Sequence, residues 1–496
     1  MKVFKFGGTS VGAAENLLKV KRIVEANTDS VIVVVSALGG LTDKLIETAQ
    51  LAETGDVAFE KQMTTIIDRH LSIIAQVIPT GNERDALVVR VSELLSELHQ
   101  HYQDVFAVRE LSAKQLAAIV SYGERISSII ATALIDGAQW YDSLSFIKTE
   151  YRCHKHKLSG EATDLLIHKH FQSMCAQSMS GNIESADSSL KDDCQTATLR
   201  SQRKIALVPG FISTDVHTGE ITNLGRGGSD YTAAILAAAL DAECLEIWTD
   251  VDGFMTADPR LIPSASPIKE LSYNEAEELC NYGAKVVYPP TIYPVWYKNI
   301  PVLIKNTMNS EAPGTYIRHL ETDADSIGVD SVGADNIASD SIAANSVGAS
   351  IKGISSVKDT SLITISGVGE EEQRELWRDL SERLSKECIQ VLVSVQHPIT
   401  HQVLVGIKKE DAEYACAVLQ NYQLDVTTDL STIAMVGKVA HQSSAILDEL
   451  VSNLDKKGIS LYTPCTEHAG MTFAYMVATS DLHAALEVTH ATAFHC

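Results

Sequence analysis

Three clusters of residues in this sequence have the composition of an anion-handling site. The first, Lys5-Phe6-Gly7-Gly8-Thr9-Ser10, sets a positive charge just ahead of a glycine pair. Glycines at a helix start leave backbone N–H groups free, and those groups with the helix dipole bind phosphate. The spacing is not the GxxxxGK[ST] of a P-loop, so a nucleotide here needs a different scheme. The second cluster, Asn223-Leu224-Gly225-Arg226-Gly227-Gly228-Ser229-Asp230, places three glycines around one arginine, just before the alanine-rich stretch Tyr231 to Leu240. Ser229 or Asp230 can cap the helix that follows. The glycines let an anion approach backbone amides, and Arg226 can fork onto a carboxylate. A loop with a solvent-facing arginine is the plainer reading. In the third cluster, Ser121-Tyr122-Gly123-Glu124-Arg125, a glycine interrupts a helical pattern. Glu124 there either receives an ammonium group or lies on a solvated helix face. Thr249-Asp250, the turn Asp258-Pro259-Arg260, and Lys285 in Tyr282-Gly283-Ala284-Lys285 add polar groups near further element ends.

The elements that must position these residues read as an α/β domain. Lys2 to Phe6 predicts a strand and Gly12 to Ala26 a helix with apolar residues near 3.6 spacing. Val31 to Val35 is a run of β-branched apolar residues, which suits a strand buried on both faces of a parallel sheet. Ile205 to Val208, Leu245 to Trp248 and Val302 to Ile304 are similar. Each of four strands ends in a polar or glycine-bearing loop: Lys5 to Ser10, Ser36 to Thr42, Pro209-Gly210-Phe211, and Thr249 to Gly253. Ligands of open α/β sheets sit outside the carboxyl ends of strands, so these loops predict one shared site.

The chain has 496 residues, 45% hydrophobic and 21% charged, which favours several domains of ordinary globular composition. Its formal net charge of -24 repels phosphate backbones and argues against nucleic-acid binding. No apolar run approaches the roughly 20 residues of a membrane helix, and the N-terminus lacks a signal-peptide layout, so the expectation is a cytoplasmic protein. Nine cysteines without a CxxC pair argue against a disulfide framework. Cys153, His154 and His156, with His168 and His170 beyond, fit no closed zinc spacing, and no metal ligand is assigned.

Two stretches read as insertions. Residues 173 to 203 are polar and lack periodicity, which predicts a surface loop. From Asp325 a five-residue repeat runs in five copies (Asp-Ser-Ile-Gly-Val and its variants), read as a low-complexity linker over 321–350, with a small stacked coil as the alternative. Beyond Ile351 the pattern becomes α+β. Strands are expected at Ser361 to Ser366, Gln390 to Val395, Val403 to Ile407, from Thr432, at Ile459 to Tyr462 and at Thr472 to Ala478. Helices are expected at Glu370 to Lys386, Asp411 to Gln420 and Ser443 to Leu454. The expected domains are 1–320, catalytic; 321–350, linker; and two regulatory modules, 351–430 and 431–496.

Taken in order, Lys5 to Gly12, Ser36-Ala37 with Thr42, Tyr122-Gly123-Glu124, Leu224 to Ala234, Ile247 to Gly253, Thr256 to Arg260 and Gly283 to Val286 resemble the aspartate kinases of the amino-acid kinase superfamily. Ile304 to Thr307, Ala312 to Thr315 and Ile351 to Ile354 look most like the kinase half of bifunctional aspartate kinase–homoserine dehydrogenases, here expected without the dehydrogenase domain. The resemblance implies an open, mainly parallel sheet between helices, followed by two ACT-like modules. It implies transfer of the γ-phosphoryl of ATP, with Mg²⁺, to the side-chain carboxylate of L-aspartate. Lys5 with the Gly7 and Gly8 amides would neutralise the phosphoryl. Thr42, Glu124, Arg226 and Ser229 would hold aspartate, and Asp230 would organise Lys5. Thr249, Asp250, Met255, Arg260 and Lys285 would contact ATP. A homodimer or higher homo-oligomer, and lysine or threonine as effector at the ACT modules, are also implied. The chain departs from the family in having Met255 where Tyr is common, Tyr288-Pro289-Pro290 for a His-Pro pair, and altered effector loops at Gly367 to Glu372 and Gln396 to Thr400. A kinase for another acidic metabolite and a non-catalytic amino-acid sensor are the competing readings.

Overall fold

A computed structural model describes residues 1–152, 155–178, 203–320, 350–366, 372–387, 389–396, 402–438, 443–468 and 471–494. The pentapeptide repeat, most of the polar stretch before residue 203, Cys153 and His154, and most of both altered effector loops lie outside the described residues. The chain divides into two compact units, Met1–Gly253 with Val286–Arg318, and Phe254–Lys285 with His319–Cys496. Residues 254–285, placed by sequence order in the catalytic part, therefore fold with the C-terminal unit.

The first unit is built on a sheet with the strand order Thr315–Ile317, Val302–Asn306, Cys244–Thr249, Lys2–Phe6, Val31–Val35, Ile205–Pro209, Ala138–Trp140. Neighbours run parallel except Thr315–Ile317, which is antiparallel to Val302–Asn306. Every residue of Val31–Val35 is buried, as its unbroken apolar run requires of a strand covered on both faces. One face packs on four long helices, Leu41–Thr54, Ala58–Val77, Asn82–Val108 and Ala113–Leu134, whose apolar stripes join Phe4, Phe6, Val33 and Val35 in one core. The helix Gly228–Ala239 packs against Lys2–Phe6, Val31–Val35 and Cys244–Thr249. A small sheet, ordered Lys155–Leu158, Lys148–Arg152, Ile212–Asp215, Ile221–Asn223, completes the unit.

Local expectations in this unit need correction. The helix over Gly12 to Ala26 is two pieces, Gly8–Val11 and Ala14–Ala26, because the chain makes its first turn already at the glycine pair. Gly123 does not interrupt its helix, which runs unbroken over Ala113–Leu134 from a Ser112–Gln115 capping box. Glycine is needed there for a close approach, since a methyl group on Gly123 would stand 2.8 Å from Ala37 Cβ. The helix Gly160–Ser178 enters the stretch expected as loop from residue 173.

The second unit carries an antiparallel six-stranded sheet ordered Val391–Gln396, Val403–Lys408, Ser350–Ser366, Gln423–Lys438, Thr472–Ala478, Thr466–His468. The two central strands span its full length, so two α+β halves share one sheet. Where those strands change register, Asp359 (φ 55) and Asp429 (φ 60) are left-handed. The helix Glu372–Lys386 covers one half through Leu376, Leu380 and Leu384. Ser443–Lys456 and Leu482–Phe494 cover the other through Leu450, Leu454 and Leu486. The strand expected at Ile459 to Tyr462 reduces to a single Leu461–Val477 bridge, and pairing passes instead to Thr466–His468, beyond Pro464. No described helix is long and apolar enough to cross a membrane.

Candidate active site

The site begins where side-chain alternation along Lys2–Phe6 divides the strand. Phe4 and Phe6 enter the helical core, and the Phe6 ring stacks on Trp248 with centroids 5.9 Å apart. Lys5 faces the opposite way, toward the first turn of Gly228–Ala239. Its Nζ lies 2.7 Å from Asp230 Oδ1, with both side chains largely buried. Water is scarce at this ion pair, so screening is weak. The pair fixes an ammonium next to the glycine turn, and a methyl group on Gly7 would stand 3.5 Å from Lys5 Nζ.

Two glycine loops then meet edge to edge. Gly39 N–H donates to the Gly8 carbonyl at 2.9 Å. A Cβ on Gly12 would come 2.9 Å from the Gly8 carbonyl oxygen, and one on Gly8 would come 3.2 Å from the Ala37 carbonyl oxygen. Side chains at these positions would force the loops apart, which is the physical reason for glycine here. Arg69 stitches the same loops from below, donating from Nη2 to Gly12 O at 3.1 Å and Gly39 O at 2.8 Å. Nothing in the sequence signals this residue, because an arginine in an amphipathic helix ordinarily reads as solvated.

Glu124 reaches the second loop from the helical layer. Its Oε1 accepts the Ala37 N–H at 3.2 Å, while Oε2 is buried with no partner. The residue is only 4% exposed, so the solvated-face reading does not hold. Burial pushes its carboxyl up to about 8, against a smaller opposing effect of the Ala37 N–H. A buried carboxylate oxygen without a donor favours a cationic partner such as an ammonium group. Ser127 on the same helix donates to the Ser36 carbonyl at 2.7 Å and fixes the loop further.

The other two strand ends close the site. Gly210 N–H donates to the Val35 carbonyl at 2.9 Å, and a methyl group on Gly210 would strike Ser229 Cβ at 2.6 Å. Gly7 N–H donates to the Trp248 carbonyl at 3.1 Å, so of the glycine pair only Gly8 keeps an N–H outside such bonds. Ser10 Oγ bonds the Trp248 carbonyl and Thr307 Oγ1, at 3.2 and 2.7 Å. Thr249 is joined to Asp250 (Oγ1 to Oδ1, 3.2 Å) and accepts Thr307 N–H on its carbonyl at 2.9 Å. Beside them Asp252 accepts from Asn306 and Asn309, at 2.8 and 3.2 Å. Asp252, Thr307 and Asn309 support the loop without having been assigned roles.

The structure thus brings Lys5, Gly7, Gly8, Glu124, Ser229, Asp230 and Thr249 into one chain of contacts. Thr42 is half-buried in the first turn of the helix that follows Gly39-Gly40. Asp250 is exposed. Arg226 is exposed on its glycine loop, 5.6 Å over the Tyr288 ring. The helix after that loop is capped by Gly227, in a left-handed conformation (φ 69), rather than by the Ser229 or Asp230 side chain. Asp230 is thereby free to face Lys5. Met255, Arg260 and Lys285 belong to the second unit. There Met255 bridges Pro267. Arg260 forks onto Asp258, with Nη2 at 2.7 Å, and Lys285 is exposed. No group of three or more His, Cys, Asp and Glu able to hold a metal occurs among the described residues.

The chain is similar to known proteins in sequence and in fold. The sequence profile of the amino acid kinase family covers residues 1–306, and the chain belongs to that family. Over its whole length the chain is 28% identical to a bifunctional aspartokinase/homoserine dehydrogenase of Buchnera aphidicola, spanning 56% of that relative. It is 30% identical to the lysine-sensitive aspartokinase 3 of Escherichia coli, over 64% of this chain and 63% of the relative. The chain spans about half the length of the bifunctional relatives it matches. The crystal structure of E. coli aspartokinase III in complex with aspartate and ADP superimposes with a TM-score of 0.73 at 22% identity, covering 100% of both chains. It shares the fold: a parallel-dominated sheet followed by an antiparallel one.

Proposed function

We propose that this chain is an aspartate kinase, which transfers the γ-phosphoryl of ATP to the side-chain carboxylate of L-aspartate, giving 4-phospho-L-aspartate and ADP. The observation that carries the proposal is a pair of buried groups set against two touching glycine loops: Lys5, held by Asp230 beside the Gly7-Gly8 turn, and Glu124, which accepts the Ala37 N–H and whose Oε2 has no partner. One serves the anionic end of a reaction and the other the ammonium of an amino acid. The aspartokinase relatives support the same reading.

The acceptor carboxylate is already an anion, so no general base is needed. Catalysis rests on positioning two mutually repelling anions and neutralising their charge. Lys5 neutralises the transferring phosphoryl beside the Gly8 N–H. Asp230 keeps the Lys5 ammonium turned toward the turn. Glu124 receives the aspartate ammonium, Arg226 forks onto a carboxylate, and Thr42 and Ser229 hold the amino acid. Thr249, Asp250, Met255, Arg260 and Lys285 are proposed on the nucleotide. The carboxylates near the turn are already engaged, Asp230 with Lys5 and Asp252 with two asparagines, which fits Mg²⁺ carried largely by phosphates and water rather than by a protein cage. Mg²⁺ so bound would supply charge neutralisation to the phosphates.

The six-stranded sheet is proposed as a pair of ACT-like modules that bind a feedback amino acid, lysine or threonine, in a homo-oligomer. A coupled assay for ADP release with aspartate tests the kinase reading. Release that depends on aspartate, and not on glutamate, supports it. Amino-acid binding with no such turnover would favour a sensor.

A further inference from the structure

Two glycine loops carry the two ends of the proposed reaction, and past their strands little of the backbone joins them. Ser36 N–H donates to the Phe6 carbonyl at 3.1 Å where the strands end. Beyond that point Gly39 N–H to Gly8 O, at 2.9 Å, is the one backbone hydrogen bond between the loops among the described residues. Gly7, Gly8, Gly12, Gly39 and Gly40 also carry no side chains that would limit loop motion. Arg69 supplies the missing constraint. Its Nη2 bonds both loops, donating to Gly12 O at 3.1 Å and to Gly39 O at 2.8 Å. The helix that carries it, Ala58–Val77, is itself fixed, because Ile66 and Ile73, on the same face as Arg69, lie in the helical core. Arg69 is half-buried, and among the described residues its hydrogen bonds go to carbonyls and to no carboxylate. Its charge is not cancelled by a partner, which suits a site that must gather two anions in a chain of net charge -24.

The bond to Gly39 also fixes a peptide plane. The Gly39–Gly40 amide lies between two glycines, the second left-handed (φ 73), so it can turn over at little steric cost. A charge-assisted bond on its carbonyl selects one orientation. Because the amide is planar and trans, its N–H then points away from Arg69.

We propose that Arg69 is a positioning residue for phosphoryl transfer: it holds the Gly8–Gly12 turn and the Gly39–Gly40 loop in the register at which the phosphoryl beside Lys5 meets the carboxylate of aspartate. The proposal rests on the kinase reading above. Arg69 acts through Gly12 and Gly39 rather than on substrate, so each substrate keeps its own contacts when the two bonds are lost. The loss falls on kcat, which depends on the alignment of the reacting groups, and not on binding.

The test uses the full chain with Arg69→Met, Arg69→Lys and Arg69→Gln, each checked for folding by its melting profile. Steady-state kinetics give kcat and separate KM values for ATP and aspartate. Calorimetry with MgADP gives affinity without turnover and the number of sites per chain. Arg69→Met should lower kcat about 10–10²-fold, the effect of a misplacement of about 1 Å away from the chemistry. Both KM values and the MgADP Kd should stay within about twofold of wild type, with an unchanged number of sites. One nitrogen serves both bonds, so the ammonium of Arg69→Lys can replace it and should recover most of the loss. A folded Met variant with wild-type kcat, a fall in kcat matched by rises in both KM values or by lost MgADP sites, or a Lys variant no better than Met would overturn the proposal. Should Arg69→Met fail to fold, Arg69→Gln decides by the same split, because its nitrogen is uncharged and ends short of Nη2. Wild-type turnover with an unsplit variant would sink the role of Arg69 alone. Wild-type chain without aspartate-dependent turnover would sink the kinase reading, and the role of Arg69 with it.

Discussion

Replacing Glu124 by Gln, and following the aspartate KM from about pH 6.5 to 8.5, tests the group proposed to receive the ammonium of the amino acid. Burial of the Glu124 side chain pushes its carboxyl up to about 8. At pH 7 about one free site in ten is then ionised, and an ammonium pairs with the ionised form. The apparent KM is raised by a factor of about 11 at pH 7 and about 2 at pH 8, a fall of roughly fivefold across one pH unit. Near pH 7 each aspartate bound should release close to one proton, which calorimetry in buffers of different ionisation enthalpy measures directly. Glu124→Gln should bind aspartate weakly, with a flat KM profile and no proton release. Stability shows the opposite slope. A carboxyl at 4.5 when unfolded and about 8 when folded holds its proton more tightly in the fold. Its contribution is complete below about pH 4.5 and falls away as pH rises through 8, and Glu124→Gln should remove that loss. A wild-type KM independent of pH, or a Gln variant that keeps both the wild-type KM and its slope, would refute the assignment.

Lys5→Ala should lower kcat about 10²–10³-fold, as removal of one transition-state donor does; near-normal kcat would remove Lys5 from the reaction. Gly123→Ala should raise the aspartate KM and destabilise the fold by about 1–3 kcal/mol, since the new methyl meets Ala37 Cβ at 2.8 Å and pushes Glu124 off its loop. Denaturation with and without aspartate checks both effects. His70 is buried, with Nδ1 bonded to the Ile66 carbonyl and Nε2 unpartnered, and burial depresses it to about 4. The unfolded chain binds that proton first, so stability should fall by on the order of 3 kcal/mol between about pH 6.5 and 4. His70→Leu should lose that acid-dependent part, and an identical loss in the variant would refute the assignment.

Much of the architecture was legible because it follows from local rules. Val31–Val35 admits little but a buried strand, and the four loops that end strands carry their glycines where backbones touch. What escaped was set by tertiary contact. Periodicity could not tell which face of Ala113–Leu134 is buried, so Glu124 stayed open between a ligand group and a solvated one. Gly123 looked like a break because propensity counts its missing side chain as a cost, while the helix needs that absence to approach Ala37. Gly227 took the cap expected of Ser229 or Asp230 because its left-handed backbone starts the helix unaided. Arg69 joins two loops distant from it in sequence, and Asp258–Arg260 and Tyr282–Lys285 fold with strands more than 60 residues further along the chain. No local pattern encodes such partnerships.

The most direct test of the proposed site is to trap its product. Incubation with MgATP, L-aspartate and hydroxylamine should give aspartate β-hydroxamate in step with ADP, since an acyl phosphate on the side-chain carboxylate reacts with that nucleophile. The yield should collapse in Lys5→Ala. Nucleotide turnover without hydroxamate, or hydroxamate formation that survives loss of Lys5, would contradict a site in which the Lys5 turn joins ATP to the carboxylate of aspartate.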